Sequence, residues 1–189
     1  MKSGRSWAYG AAALLAIGGI GALAAFGLKG AKRSGNEHVP EPSKAVDLDR
    51  YLGHWFEFAR YENRFERNCE AVTANYARRA DGLISVVNAC REGSLSGRYR
   101  SAEGRAKVVA GSNGTKLKVS FFGPFYVGDY WILDHADDYT WSIVGEPTGR
   151  YLWILTREAR PSAELRRTLL VRTAALGYDT TMLRETQHD

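Results

Sequence analysis

Asn113-Gly114-Thr115-Lys116-Leu117-Lys118-Val119-Ser120-Phe121-Phe122, residues 113–122, is a turn followed by an alternating strand. An Asn-Gly pair accepts positive φ at both positions, which suits a tight hairpin turn. Beyond it Leu117, Val119 and Phe121 project to one side while Lys116, Lys118 and Ser120 project to the other. That period of two belongs to a half-buried strand. The same pattern spreads outward in both directions. Segments rich in aromatic and β-branched residues recur at Trp55–Tyr61, Val72–Arg79, Leu83–Arg91, Tyr99–Val109, Thr115–Phe122, Tyr126–Asp134, Tyr139–Gly145 and Tyr151–Arg157. Turn residues separate them, Asp81-Gly82 being the second strong hairpin signal. Tyr139, Trp141 and Ile143 oppose Thr140 and Ser142, again as in a half-buried strand. The last segment differs, because Tyr151, Trp153 and Leu155 alternate with the equally apolar Leu152 and Ile154. Its outer face needs a cover, and a helix follows directly: Pro161-Ser162 starts it, Leu165, Leu169 and Leu176 give it one apolar stripe, and Gly177 ends it.

Eight sequential strands without long crossovers predict an all-β fold, an eight-stranded antiparallel up-and-down barrel with one C-terminal α-helix packed outside. Closure removes the edges an open sheet exposes, and eight strands enclose room for one small ligand. A sandwich of similar strand count shares the same periodicity.

Composition narrows the work such a domain performs. With 44 % apolar and 25 % charged residues the 189-residue chain is neither disordered nor fibrous. The net charge of +5 sits almost wholly in residues 1–45, leaving residues 46–189 close to neutral. A phosphate-binding surface requires a basic excess on the folded domain, so nucleic acid is not an expected partner. Met1 to Leu28 reads as an apolar leader helix: Lys2 and Arg5 precede an uncharged run from Trp7 to Leu28. Residues 1–28 are either a signal peptide, with Ala22-Leu23-Ala24 as the cleavage pattern, or an N-terminal membrane anchor. Residues 29–45, with Gly30, Gly35, Pro40 and Pro42, read as a linker, and residues 46–187 as the domain. Both readings place the domain outside the cytoplasm, in the periplasm or at a cell-envelope membrane that the N-terminal segment contacts. In that oxidising setting Cys69 and Cys90 are expected to form one disulfide, with two buried free thiols as the alternative. If Asp81-Gly82 is a two-residue turn, however, Cys69 falls opposite Ser94, and the bond requires a fold-back or a bulge. No Cys-x-x-Cys or His-Glu-x-x-His spacing occurs, so neither a metal nor a cofactor is implied.

The run Val46-Asp47-Leu48-Asp49-Arg50-Tyr51-Leu52-Gly53-His54-Trp55-Phe56-Glu57-Phe58-Ala59-Arg60 resembles the opening signature of the lipocalin family, a Gly-x-Trp after a short helical turn. The resemblance continues through Arg64-Phe65-Glu66, Val72–Tyr76, Val86-Val87-Asn88 and Lys118–Phe125, and ends at Tyr151–Arg157. It is similar to the bacterial subgroup, which groups with apolipoprotein D and plant temperature-induced lipocalins. Two departures stand out: no leader cysteine could carry a lipid, and the second signature is reduced to Asp138-Tyr139. The resemblance implies that Gly53, Trp55 and Arg157 form a structural signature, with Arg157 stacked on Trp55 at the closed end. It also implies that Tyr76, Asn88 and Trp153 line the cavity. Strand parity adds Phe121, and Tyr126 and Tyr130 offer hydroxyls for a head group. The function implied is binding and carriage of a fatty acid or lysophospholipid by a monomer or weak dimer. Two other classes remain open: a lipocalin-like enzyme using the barrel thiol of Cys90, and a protein-binding barrel whose segment Glu62–Glu70 forms a lid anchored by Phe65.

Overall fold

The computed structural model describes residues 34–189; the leader and the start of the linker lie outside the described residues. Twelve elements follow in order: α1 (Leu48–Tyr51), β1 (Gly53–Tyr61), β2 (Cys69–Arg78), β3 (Ile84–Glu92), β4 (Tyr99–Val108), β5 (Lys116–Ser120), β6 (Gly128–His135), β7 (Trp141–Gly145), β8 (Leu152–Thr156), α2 (Ala163–Ala175), a 3₁₀ turn (Thr180–Met182) and β9 (Leu183–Glu185). Each of β2 to β7 pairs antiparallel with the next, and β1 pairs with both β8 and β2, closing an eight-stranded barrel. The short β9 pairs with β1 over Ala59–Tyr61, where β1 has left β2. It is too brief and too polar to show a strand period.

The barrel has a floor and a mouth. Strands β1, β3, β5 and β7 run from floor to mouth, so the connections after them rim the opening. Helix α2 starts at Ser162, whose hydroxyl accepts from the Leu165 amide, and stops at Gly177 with φ +88°. Leu169 is fully buried, with Leu165 and Leu176 packed beside it against Phe58, Trp141, Ile143, Leu152 and Ile154. Helix α2 therefore changes the expected pattern of β7. All five of its residues are buried. Its apolar face, Trp141 and Ile143, lies under the helix, while Ser142 and Val144 face the interior. A strand covered on both sides cannot be read as half exposed.

Two turns are longer than the two-residue hairpins expected. Arg79 and Leu83 pair across the loop Ala80-Asp81-Gly82, with Gly82 at φ +79°. Val109 pairs with Lys116, so Asn113-Gly114 sits inside a six-residue loop. There Gly114 has a physical reason: at φ +77° a Cβ would come within 2.4 Å of the Val46 carbonyl oxygen. Val46 in turn donates its amide to the Asn113 carbonyl.

The expected linker also differs. From Ser34 onward the chain is laid along the barrel wall. Gly35 is buried against the Tyr61 ring, the Asn36 amide donates to the Leu176 carbonyl, and Lys44 bonds the His135 carbonyl and Asp137. Glycines and prolines permit close packing here as readily as they permit a tether.

Candidate functional site

The floor is closed by the residues that open the domain. Asp47 caps the one-turn α1, and Tyr51 at its end is buried. Trp55, fully buried, donates its indole N–H to the Tyr51 carbonyl at 2.8 Å. The Arg157 guanidinium lies over this indole, 3.6 Å from the ring centroid. Its nitrogens donate to the carbonyls of His54 (2.6 Å), Leu52 (2.9 Å), Arg50 (3.0 Å), Tyr51 (3.0 Å) and Tyr139 (3.2 Å). The end of α1 leaves the carbonyls of Arg50, Tyr51 and Leu52 without helical partners, and one planar fork of donors takes all three. Gly53, at φ +97°, lets the chain swing from α1 into β1 just beneath that fork.

Above the floor sits a chain of hydroxyls. The Tyr76 and Tyr130 oxygens are 3.1 Å apart and those of Tyr130 and Tyr51 2.8 Å. Tyr51 donates to Ser142 at 3.2 Å, and Ser142 donates to the Asp134 carbonyl. A carbonyl can only accept, so the protons of the whole chain run toward it. The Tyr76 oxygen is then left facing the interior as an acceptor. Burial pushes the Tyr51 phenol up to about 12 and raises Tyr76 and Tyr130 further. All three stay neutral.

Higher still, the interior opens. On β4 the inward residues pass from Ala106, 2 % exposed, through half-buried Gly104 to exposed Ala102. On β5 they pass from Leu117, 5 % exposed, through half-buried Val119 to Phe121 at 38 %. On β8 they pass from buried Leu155 to half-buried Trp153 and Tyr151. On β3 Asn88, opposite Ala102, has a buried amide oxygen with no hydrogen-bond partner among the described residues. Tyr76, Asn88, Tyr130, Trp153 and Phe121 are thus brought to one interior.

Tyr126 is not. Its ring packs against Lys107, 4.6 Å from the ammonium nitrogen, and near the Arg105 guanidinium at 5.9 Å. Both project from the outer face of β4, on the side opposite Ala106. Parity would have pointed Tyr126 inward with Tyr130, but β6 begins only at Gly128, and the loop before it turns the ring outside.

The side where β1 and β2 diverge holds residues that sequence reading passed over. The two strands pair only from Gly53 to Phe56. Fully buried Arg60 fills the gap beyond. It donates to Glu57 at 2.6 Å, to Thr186 at 2.9 Å and to the carbonyls of Glu66 and Cys69 at 3.0 and 3.3 Å. Glu57 also bonds Thr186. Burial, with the Glu66 charge adding to it, drives the Glu57 carboxyl up to about 8, against the pull of Arg60 and Thr186. Glu66 accepts from the Trp153 indole at 2.9 Å and bonds Asn63, so the loop between β1 and β2 is tied to the cavity wall. A bulge between Glu57 and Ala59 in β1 keeps Glu57 and Arg60 on the same face.

Cys69 and Cys90 are joined, with Cα atoms 5.6 Å apart. The three-residue turn shifts the register by one. A bulge at Ala71-Val72, with Ala71 at φ +47°, shifts it by one more, so that Cys69 pairs with Glu92 and reaches Cys90 diagonally. The thiol that a Cys90-based enzyme needs is taken up in this bond. Among the described residues no group of three metal-ligating side chains converges.

A closed antiparallel barrel with a plugged floor, an accessible upper interior and a rim of loops defines a calyx, a single-chain container for one small molecule. The comparisons with known proteins agree. A family model described as a lipocalin-like domain matches residues 46–188, and the chain belongs to that family. The outer membrane lipoprotein Blc of Escherichia coli K12 is 38 % identical over 146 residues, covering 74 % of this chain and 81 % of its own. Temperature-induced lipocalin-1 of Arabidopsis thaliana is 35 % identical over 154 residues, covering 77 % and 81 %. Insecticyanin from the tobacco hornworm superposes with a TM-score of 0.65 at 19 % identity, over 82 % of this chain and 88 % of that one, a likeness of fold. Family and site together support the binding of small hydrophobic ligands.

Proposed function

We propose that the protein binds a fatty acid or lysophospholipid in the upper half of the barrel and carries or stores it in the bacterial cell envelope. The observation that supports this most is the rise in exposure along the inner faces of β4, β5 and β8 toward the mouth. A mouth sealed by side chains, as the floor is sealed, would bury those positions. Each methylene placed there gains roughly 0.8 kcal/mol, and Tyr76, Asn88, Phe121, Tyr130 and Trp153 form its surroundings.

The hydroxyl chain also sets the ligand's direction. A carboxylate or phosphate lowered to the floor would meet the Tyr76 oxygen acceptor to acceptor, and a buried charge without donors is costly. The acyl end therefore goes down and the head group stays near the mouth, where Arg64, Arg67, Arg98 and Arg150 are exposed. Export to the envelope is supported by the relatives named outer membrane lipoproteins. Among the described residues no helix is long and apolar enough to cross a membrane. Attachment to one would therefore fall to the leader, retained as an anchor, with the barrel a monomer or weak dimer. The near-neutral barrel carries no extended basic face for a polyanion, so no nucleic-acid partner is proposed.

Displacement of a barrel-bound fluorescent fatty acid tests the proposal. Single-chain fatty acids and lysophospholipids should displace the probe at one site per chain. In Trp153→Phe the probe should still bind, while the native fluorescence change should be lost. Failure of every lipid class to displace the probe would remove the carrier reading. A turnover of lipid substrate that is lost in Cys90→Ser would favour the enzyme.

A further inference from the structure

Six of the eight large hydrophobic side chains left exposed among the described residues belong to the rim of the mouth: Phe65, Tyr99, Phe121, Phe122, Phe125 and Val127. Four of these stand on one connection, between β5 and β6, with Phe125 at 69 % and Val127 at 80 %. Gly123-Pro124 holds that connection as a tight turn, and the Phe125 amide donates to the Phe122 carbonyl. Such a tip loses little chain entropy on docking. The charges around the rim are sorted as well. In the four mouth connections Arg64, Arg67, Arg98 and Arg150 are exposed, whereas Glu146 is buried and Glu66 is turned inward to Trp153, leaving Glu62 as the exposed acid. Cations also sit over rim aromatics: Arg64 over Phe65 at 5.1 Å and Arg91 over Tyr99 at 5.7 Å. Aromatics with arginines at an apolar tip suit the interface of a bilayer bearing negative head groups.

A third observation concerns the path of the chain. The described segment begins at the mouth. The Ser34 hydroxyl bonds the Thr148 carbonyl and the Gly35 amide donates to the Gly149 carbonyl, both in the connection after β7. Ser34 and Gly35 are thus held at the open end of the barrel.

We infer that the mouth of the barrel docks on an anionic lipid bilayer, with Phe125 and Val127 entering the head-group region and the rim arginines meeting lipid phosphates. The opening then faces the surface from which a lipid would be drawn. The inference stands on the composition of the rim and not on which ligand the cavity holds.

The test uses the full chain associated with vesicles of phosphatidylglycerol and phosphatidylethanolamine. Since the described cysteines are joined, a nitroxide label can be placed through Val127→Cys at the rim and through Ala80→Cys at the floor-end turn. Power saturation then compares contact with oxygen, which is enriched in lipid, and with a water-soluble nickel chelate. The ratio should rise severalfold at Val127 on vesicle binding and stay at its aqueous value at Ala80. Adding Phe125→Ser should bring the Val127 label back toward water while near-ultraviolet circular dichroism stays native. Vesicles of phosphatidylcholine alone should do the same. Equal water access at both labels would overturn the inference. So would a Val127 label that stays embedded despite Phe125→Ser, or one that is immobilised without gaining oxygen contact, which indicates docking on protein.

Discussion

Arg157 serves the floor of the barrel through two effects of different size. Its stacking on Trp55 is worth on the order of 1 kcal/mol. The carbonyls of Arg50, Tyr51, Leu52, His54 and Tyr139 all accept from it. Arg157→Leu should therefore destabilise by about 2–3 kcal/mol, more than the stacking alone explains. Arg157→Lys keeps the charge but not the fork, and should recover less than half of that loss in urea unfolding. Glu57 gives a prediction with a pH sign. Its carboxyl is raised by burial to about 8, so between the usual carboxylate range and that value the folded protein holds a proton the unfolded chain has released. Stability falls as pH rises across that window, and Glu57→Gln should flatten the fall. Denaturant titrations at about pH 5 and about pH 8 measure it, and an unchanged slope in the variant would assign the dependence to other groups. At this scale the sequence is legible where a strand continues and illegible where it stops. Parity along β8 reaches Trp153, but for Tyr126 it fails because no strand surrounds that residue. Nothing in the order of Glu57 and Arg60 announces that a bulge sets them side by side.

At the scale of elements, β2 shows how turn length controls chemistry. Two one-residue shifts, one at the Ala80–Gly82 turn and one at the Ala71-Val72 bulge, separate the ideal register from the one that brings Cys69 to Cys90. Dipeptides such as Asp-Gly mark where a chain turns but do not count the residues in the loop, because two- and three-residue hairpins share the same glycine. The bulge is held by the Ala71 amide donating to the Gln187 carbonyl and by Glu70 bonding the Gln187 amide and Arg184. These are contacts between the ends of the domain that no local reading finds. The disulfide closes a loop with a sequence separation of 21. Chain entropy then assigns it about 3 kcal/mol. Cys69→Ser with Cys90→Ser should lower the urea midpoint accordingly. It should also loosen the neighbouring connection of Phe65 and Glu66, seen as faster amide exchange there than at the floor. Uniform exchange along the chain would contradict that local role. Helix α2 was legible because its cap, stripe and terminal glycine are all local signals. The inversion of β7 was not, because only the docked helix decides which of its faces is the inner one.

Over the whole molecule, the eight barrel strands and their antiparallel order could be read ahead of the structure, because an up-and-down meander is a sum of local hairpins. Closure shares its periodicity with a sandwich and is shown by the pairing of β1 with both β8 and β2. The hollow could only be inferred, since alternating strands look alike around a filled centre and an empty one. What distinguishes them is the direction in which burial fades. The floor is packed by Trp55, Tyr51, Leu155 and Val144, all at or below 4 % exposure. Toward the mouth the same inner faces lose their cover. Ala102 is the clearest case, a small residue on an inner face that solvent reaches. Ala102→Trp therefore tests the hollow most directly, by fatty-acid titration read alongside the melting temperature. The account predicts that the indole occupies the space the ligand would use, so binding falls at least tenfold, about 1.4 kcal/mol, while the melting temperature holds or rises. Full affinity in the variant would place the ligand elsewhere, and a collapse of the fold would mean that the space was never open.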